Sequence, residues 1–173
     1  HQYLANKQGL LLADTPLTLA ETASVFGEML TFKSMLRNSK NTTEKIYLLR
    51  SKIEDMINTV FRQISFFIFE REIHLMRTKS ELSEDEISRE WIKTQRESLG
   101  KSVNLTDDYR AFWAYIPHFI HSPFYVYAYA FGDCLVNSLY SKYEKSSSGF
   151  NDKYLELLKS GGSKDYKILL KAF

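Results

Sequence analysis

A single cysteine, three prolines and seven glycines are spread over 173 residues. The lone thiol, Cys134, has no partner for an internal disulfide, and its neighbours lack the Cys/His spacing of a structural zinc site. So few chain breakers argue against a β-sandwich or barrel, which needs a turn signal roughly every ten residues. No charge of one sign dominates: the longest like-charge run is Glu84 to Glu86, and Lys plus Arg minus Asp plus Glu is 23 − 21 = +2. That balance gives no electrostatic case for a nucleic-acid or acidic-membrane partner. No apolar stretch reaches the roughly 20 residues that span a bilayer. A reducing compartment, and hence a cytoplasmic location, is expected.

What remains is globular: 44% hydrophobic, 14% aromatic and 25% charged residues, enough to bury a core, with residues 1–173 forming one ordinary domain or a sizeable piece of a larger one. The periodicity is helical throughout. His1 to Asn6 suits a helix with Gly9 as a left-handed stop. Thr18 and Glu21 have capping-box spacing, which sets position 21 near a helix start. Leu17, Val25, Met29, Phe32 and Leu36 then predict a buried stripe running to about Asn38. Ala20, Ala23, Ser24 and Gly27 form a strip of small residues, against which a second helix is expected to press closely. From Asn41 a helical pattern without glycine or proline predicts one long helix to about Lys79.

Ser83 and Glu86 form a second capping-box pair, for a helix ending near Gly100. Thr106 starts a short helix to Ala114. Pro117 and Pro123 bracket a constrained connector carrying His118 and His121. After Pro123, more than twenty residues without proline predict a helix despite the alternation of Tyr125, Tyr127, Tyr129 and Phe131. Two short helices, 151–159 and 163–172, follow around Gly161 and Gly162. The expected fold is an all-α multi-helix bundle.

Among the chemistry-bearing residues, Glu21 and Glu28 stand two helical turns apart and share a face. An acidic side chain in a first helical turn ordinarily faces the dipole and free amides. A metal-ligand role for Glu21 needs company, because catalytic zinc takes three protein ligands and leaves a fourth position open. Tyr125 and Tyr129, four apart, would share one face of a helix, with Tyr127 turned away; a tyrosine stripe of this kind is often only core. Glu70 and His74 are also four apart, not the Glu-x-x-His spacing of di-iron bundles, and read as structural or solvated. Cys134 reads as a packed thiol.

The segment PLTLAETASVFGEML, with HQYLA before it and IPHFIHSPFYVYAYAFG after it, resembles the zinc metallopeptidases of the oligoendopeptidase F family, relatives of thimet oligopeptidase. In that family a helix with H-E-x-x-H runs into a pattern like HQYL, and a TLAE-type helix supplies the third zinc ligand. The resemblance implies that Glu21 is that ligand and Glu28 a carboxylate supporting it or the helix packing. It also implies that His118, with Tyr125 and Tyr129, stabilises the oxyanion and holds the peptide, Tyr127 being a substrate-binding reserve. Short peptides would be the substrates and zinc the cofactor. Both zinc histidines and the catalytic glutamate would precede His1. The chain is accordingly expected to be the C-terminal part of a larger helical catalytic domain, inactive without the preceding part of the polypeptide. The competing reading is a non-catalytic helical module that binds a partner helix.

Overall fold

Helix boundaries follow the local signals wherever those signals are complete. Ser83 Oγ accepts the Glu86 N–H at 3.3 Å and the Ser83 N–H donates to Glu86 Oε2 at 2.8 Å, so the reciprocal cap forms and α6 (Glu84–Leu99) starts there. Gly100, at φ 69°, ends it. The computed structural model describes residues 1–173 and contains helices and turns with no strand. The other helices are α1 (Gln2–Ala5), α2 (Leu17–Ala20), α3 (Thr22–Asn38), α4 (Thr42–Met56), α5 (Gln63–Arg77), α7 (His118–His121), α8 (Tyr127–Lys145), α9 (Phe150–Lys159) and α10 (Tyr166–Leu170). A π-helical stretch, Ile57–Arg62, links α4 to α5, so the long uninterrupted helix is present with one wide turn inside it. Asp107–Tyr115 is helical as expected, but with tighter 3-10 geometry. No helix is long and apolar enough to cross a membrane.

Three local expectations are corrected. Thr18 does not cap: Pro16 is the residue that opens α2, and the buried Thr18 hydroxyl has no partner within the chain. The small-residue strip meets no second helix at Gly27, where a Cβ would find nothing within 4 Å. Cys134 is exposed and not packed. In the first two cases the spacing was right, but a tertiary partner decides whether a cap or a close approach forms.

The chain divides into two compact units, His1–Asp55 with Phe131–Phe173, and Met56–Ala130. In the first, Leu19, Val25, Phe26, Met29, Val136, Leu139 and Leu157 form the core. Phe26 is its hub, with Tyr154 at 4.6 Å, Phe150 stacked at 5.8 Å and Tyr140 at 6.2 Å between ring centroids. The Tyr154 hydroxyl, its pKa pushed up by burial, donates to the Thr22 carbonyl at 3.1 Å. Removal of so large a ring from a close-packed core typically costs about 3–5 kcal/mol. In the second unit Trp91 is almost fully buried against Phe66 and Phe69, at 5.4 and 5.1 Å, and its indole N–H donates to the Tyr109 carbonyl at 3.0 Å.

The connector after α1 is pinned to the far end of the sequence. The Gly162 N–H donates to the Leu12 carbonyl at 2.8 Å and Gln8 Nε2 donates to the Lys159 carbonyl at 2.9 Å. A Cβ on Gly161, which sits at φ 49°, would lie 2.3 Å from that Leu12 oxygen. The pair Gly161–Gly162 therefore does more than separate two helices. Gly161→Ala is expected to lower stability by more than about 1 kcal/mol, from positive φ and backbone collision together; a thermal melt unchanged from the parent would contradict this.

Candidate functional site

Glu21 occupies the break between α2 and α3. Its backbone, at φ −87° and ψ −1°, lies in the sparsely populated bridge region that turns and active-site residues favour. The Glu21 carbonyl already accepts the Val25 N–H at 3.1 Å and the Ser24 hydroxyl at 3.1 Å, so the backbone is committed to starting α3. Gly132, buried on α8, faces this junction: a Cβ there would come within 2.9 Å of Glu21 Cβ. The close approach expected of the small-residue strip is made here, beside the half-buried Glu21 side chain. Seven residues on, Glu28 is exposed and lines an open groove between α3 and α4 with Phe32, Tyr47 and Lys52.

Glu21 is a suitable oxygen donor for a metal. No three His, Cys, Asp or Glu side chains of this chain, however, come together as a metal-holding group. These residues therefore fit a zinc centre as a contributor of one ligand and not as a complete set. A feature not foreseen from the sequence lies in the same unit: both imidazole nitrogens of His1 are buried and have no hydrogen-bond partner within the chain. The Thr22 hydroxyl, on a fully buried residue next to Glu21, is likewise unpartnered.

His118, Tyr125 and Tyr129 converge in the unit Met56–Ala130. His118 Nε2 and the Tyr129 hydroxyl are 3.1 Å apart, the Tyr125 ring stacks on the His118 ring at 5.6 Å and 24°, and the two tyrosines meet edge to face at 5.4 Å. The residues between the two prolines form one helical turn, α7, after Pro117. Tyr125 was expected on the same helix as Tyr129; it precedes α8, which begins at Tyr127. The pairing survives because the chain folds back through a tight turn at Phe124, the one non-glycine residue with positive φ, at 60°. Such a conformation costs an L-residue about 1–2 kcal/mol. Tyr127 is not part of the group: it packs edge-on against Phe67 at 5.8 Å. His121 is exposed.

That turn is gripped by a residue read from the sequence as merely structural or solvated. Glu70, only 2% exposed, accepts the Phe124 N–H through Oε1 at 2.7 Å. Its Oε2 is buried and has no partner within the chain. Burial pushes the Glu70 carboxyl above the usual carboxylate range, while the Phe124 N–H and the nearby His74 and His118 pull the other way without prevailing. A folded-state pKa raised above the unfolded value means stability that is complete below about pH 4.3, the unfolded value, and that is lost as pH rises through the folded one. Glu70→Gln cannot ionise, so its melting temperature is expected to gain on the parent as pH climbs from about 4 towards neutrality. A gap that narrows over that range would contradict the raised value.

The whole chain, residues 1–173, matches the model of peptidase family M3. An oligoendopeptidase F homolog from Borreliella burgdorferi is 34% identical over 146 residues, covering 84% of this chain and 25% of that protein. One from Lactococcus lactis subsp. lactis is 33% identical over 164 residues, covering 93% and 27%. The crystal structure of oligoendopeptidase-F from Enterococcus faecium superposes with a TM-score of 0.78 at 25% identity, over 99% of this chain and 32% of that one. The chain thus spans about a quarter to a third of the length of these relatives. A helical fold without strands, a family match from end to end and relatives of the same kind lead to one conclusion: the chain belongs to peptidase family M3.

Proposed function

We infer that this chain is the part of a cytoplasmic zinc oligoendopeptidase that supplies one metal ligand and the hydrogen-bonding groups that hold the peptide being cut. The observation that carries the reading is the 3.1 Å contact of His118 with Tyr129, capped by Tyr125, on the segment that matches the family. A hydroxyl and an imidazole held at hydrogen-bonding distance in a fixed geometry are the groups needed to receive charge on a carbonyl oxygen as it becomes tetrahedral. Preorganised donors of that kind are worth about 2.7–4 kcal/mol each in known cases. Either Tyr129 O–H or a protonated His118 Nε2 can donate, and Tyr125 limits the imidazole's movement by stacking on it.

Glu21 is assigned as the carboxylate ligand because it stands in the TLAE segment that resembles the family's ligand-bearing helix; its place at the break between α2 and α3, close to Gly132, is consistent with that role. Zinc, when bound with ligands from elsewhere in the polypeptide, would polarise the scissile carbonyl and lower the pKa of bound water. Tyr127, packed on Phe67, and Glu28, exposed on α3, have no chemical step in this account. These 173 residues alone should neither cleave peptides nor retain stoichiometric zinc, since they bring one ligand of three.

Two substitutions separate the roles in the complete enzyme. Glu21→Ala should lose zinc on dialysis, read as metal per protein. His118→Ala should keep its zinc and lower kcat by about 10²–10³, the usual loss for one oxyanion donor. Equal metal loss in both variants would remove the role given to His118, and full metal retention by Glu21→Ala would remove that of Glu21.

A further inference from the structure

The histidine and tyrosine of the proposed oxyanion group are eleven residues apart, and nothing local dictates that they meet. The connecting chain runs from α7 through Ser122, Pro123 and Phe124 into α8. Along it, the Ser122 N–H is satisfied by the His118 carbonyl, Tyr125 N–H by Ser122 and Ala128 N–H by Tyr125. Phe124 N–H, at the strained residue, is satisfied from 54 residues away, by Glu70 on α5. One turn further along the same face of α5, the His74 ring packs on the Phe124 ring at 4.6 Å. Both the backbone and the side chain of Phe124 are therefore held by a single helix.

The same helix also grips the chain on either side. Phe66 and Phe69 contact the ring of Phe119, next to His118, at 5.9 and 5.2 Å, and Phe67 contacts Tyr127. Helix α5 is a platform on which the segment 118–129 is laid down at three points, and the middle point is the only polar one. A buried carboxylate is an expensive way to fill a core, since it must be desolvated, and an apolar residue could supply the packing alone. What an apolar residue cannot supply is an acceptor for the Phe124 N–H, without which the left-handed turn loses the bond that offsets its strain.

We propose that Glu70 is a positioning residue of the proposed peptidase, its carboxylate holding the Phe124 turn so that the His118 imidazole and the Tyr129 hydroxyl stay in register. The inference rests on the functional reading above for what the pair does, but not for how the pair is held. Glu70 acts through the turn and touches no substrate. Its contribution is geometric, so an acceptor oxygen suffices and a negative charge is not required.

The test uses the zinc-loaded complete enzyme in four forms beside the parent: Glu70→Leu, Glu70→Gln, His118→Ala and the double variant Glu70→Leu/His118→Ala. Glu70→Leu is expected to lower kcat at least about tenfold with KM within about threefold, as a misplaced group does. Glu70→Gln, which keeps the acceptor, should recover most of that loss. The double variant should be slower than His118→Ala by clearly less than the factor that Glu70→Leu costs alone, because one of the two groups that the turn positions is already gone. A parent-like kcat in Glu70→Leu, equal losses in the Gln and Leu variants, or multiplicative losses in the double variant would each overturn the proposal. Should Glu70→Leu not fold, amide exchange decides: the Phe124 N–H is expected to be protected in both the parent and Glu70→Gln, and exchange at the free-peptide rate in either would overturn it. If His118→Ala itself turns over like the parent, the functional reading fails, and the positioning role fails with it. If only the Glu70 results fail, the functional reading stands.

Discussion

The absence of a side chain at Gly132 decides how closely α8 can approach Glu21. The backbone turns into α3 at Glu21, and α8 lies so close there that a methyl group on Gly132 would come within 2.9 Å of Glu21 Cβ. Packed interiors respond to such intrusions by shifting backbone, because they have no slack to absorb even one methylene. Glu28, two turns later on α3, is exposed by contrast.

In the unit Met56–Ala130 the equivalent constraint is polar. Glu70 is buried where its charge is disfavoured, and it is tied to a backbone N–H at a residue whose φ is itself unfavourable. Two local penalties are accepted to make one turn. Around them lies an aromatic cluster of Phe66, Phe69, Trp91 and Phe119 that supplies the burial to offset them. The arrangement has the form expected where strain serves a site: an outlier that the surrounding structure over-determines, adjacent to side chains that must meet at hydrogen-bonding distance. The His118–Tyr129 contact is made by the residues on either side of that turn, with the Tyr125 ring stacked on His118.

Much of the fold was legible in the sequence because helices are encoded locally. The Ser83/Glu86 box, the Gly100 stop, the end of α3 at Asn38 and the long helical run after Asn41 all follow from signals within a few residues. What sequence periodicity could not supply was the partner. Thr18 had the spacing of a cap and no free amide to serve, and Gly27 was small but faced nothing. Tyr125 stands outside the helix, just after the turn at Phe124, whose N–H donates to Glu70, fifty-odd residues distant in the chain. Phe26, the aromatic hub, lies beside the predicted stripe and not on it. The family could be read from HQYL, the TLAE segment and the PHF segment, since those are residue-by-residue patterns. The burial of Glu70 and of the His1 imidazole could not, because no pattern of spacing distinguishes a buried polar group from a solvated one.

In the proposed function Glu21 binds the metal, and His118 with Tyr129 receives the peptide carbonyl. The most direct check is a crystal structure of the complete enzyme with its metal located by anomalous diffraction at the zinc edge. The account predicts a Glu21 carboxylate oxygen at about 2.0–2.2 Å from the ion, the distance of a zinc–carboxylate bond. A zinc centre completed by other side chains, with the Glu21 carboxylate outside bonding distance, would contradict it.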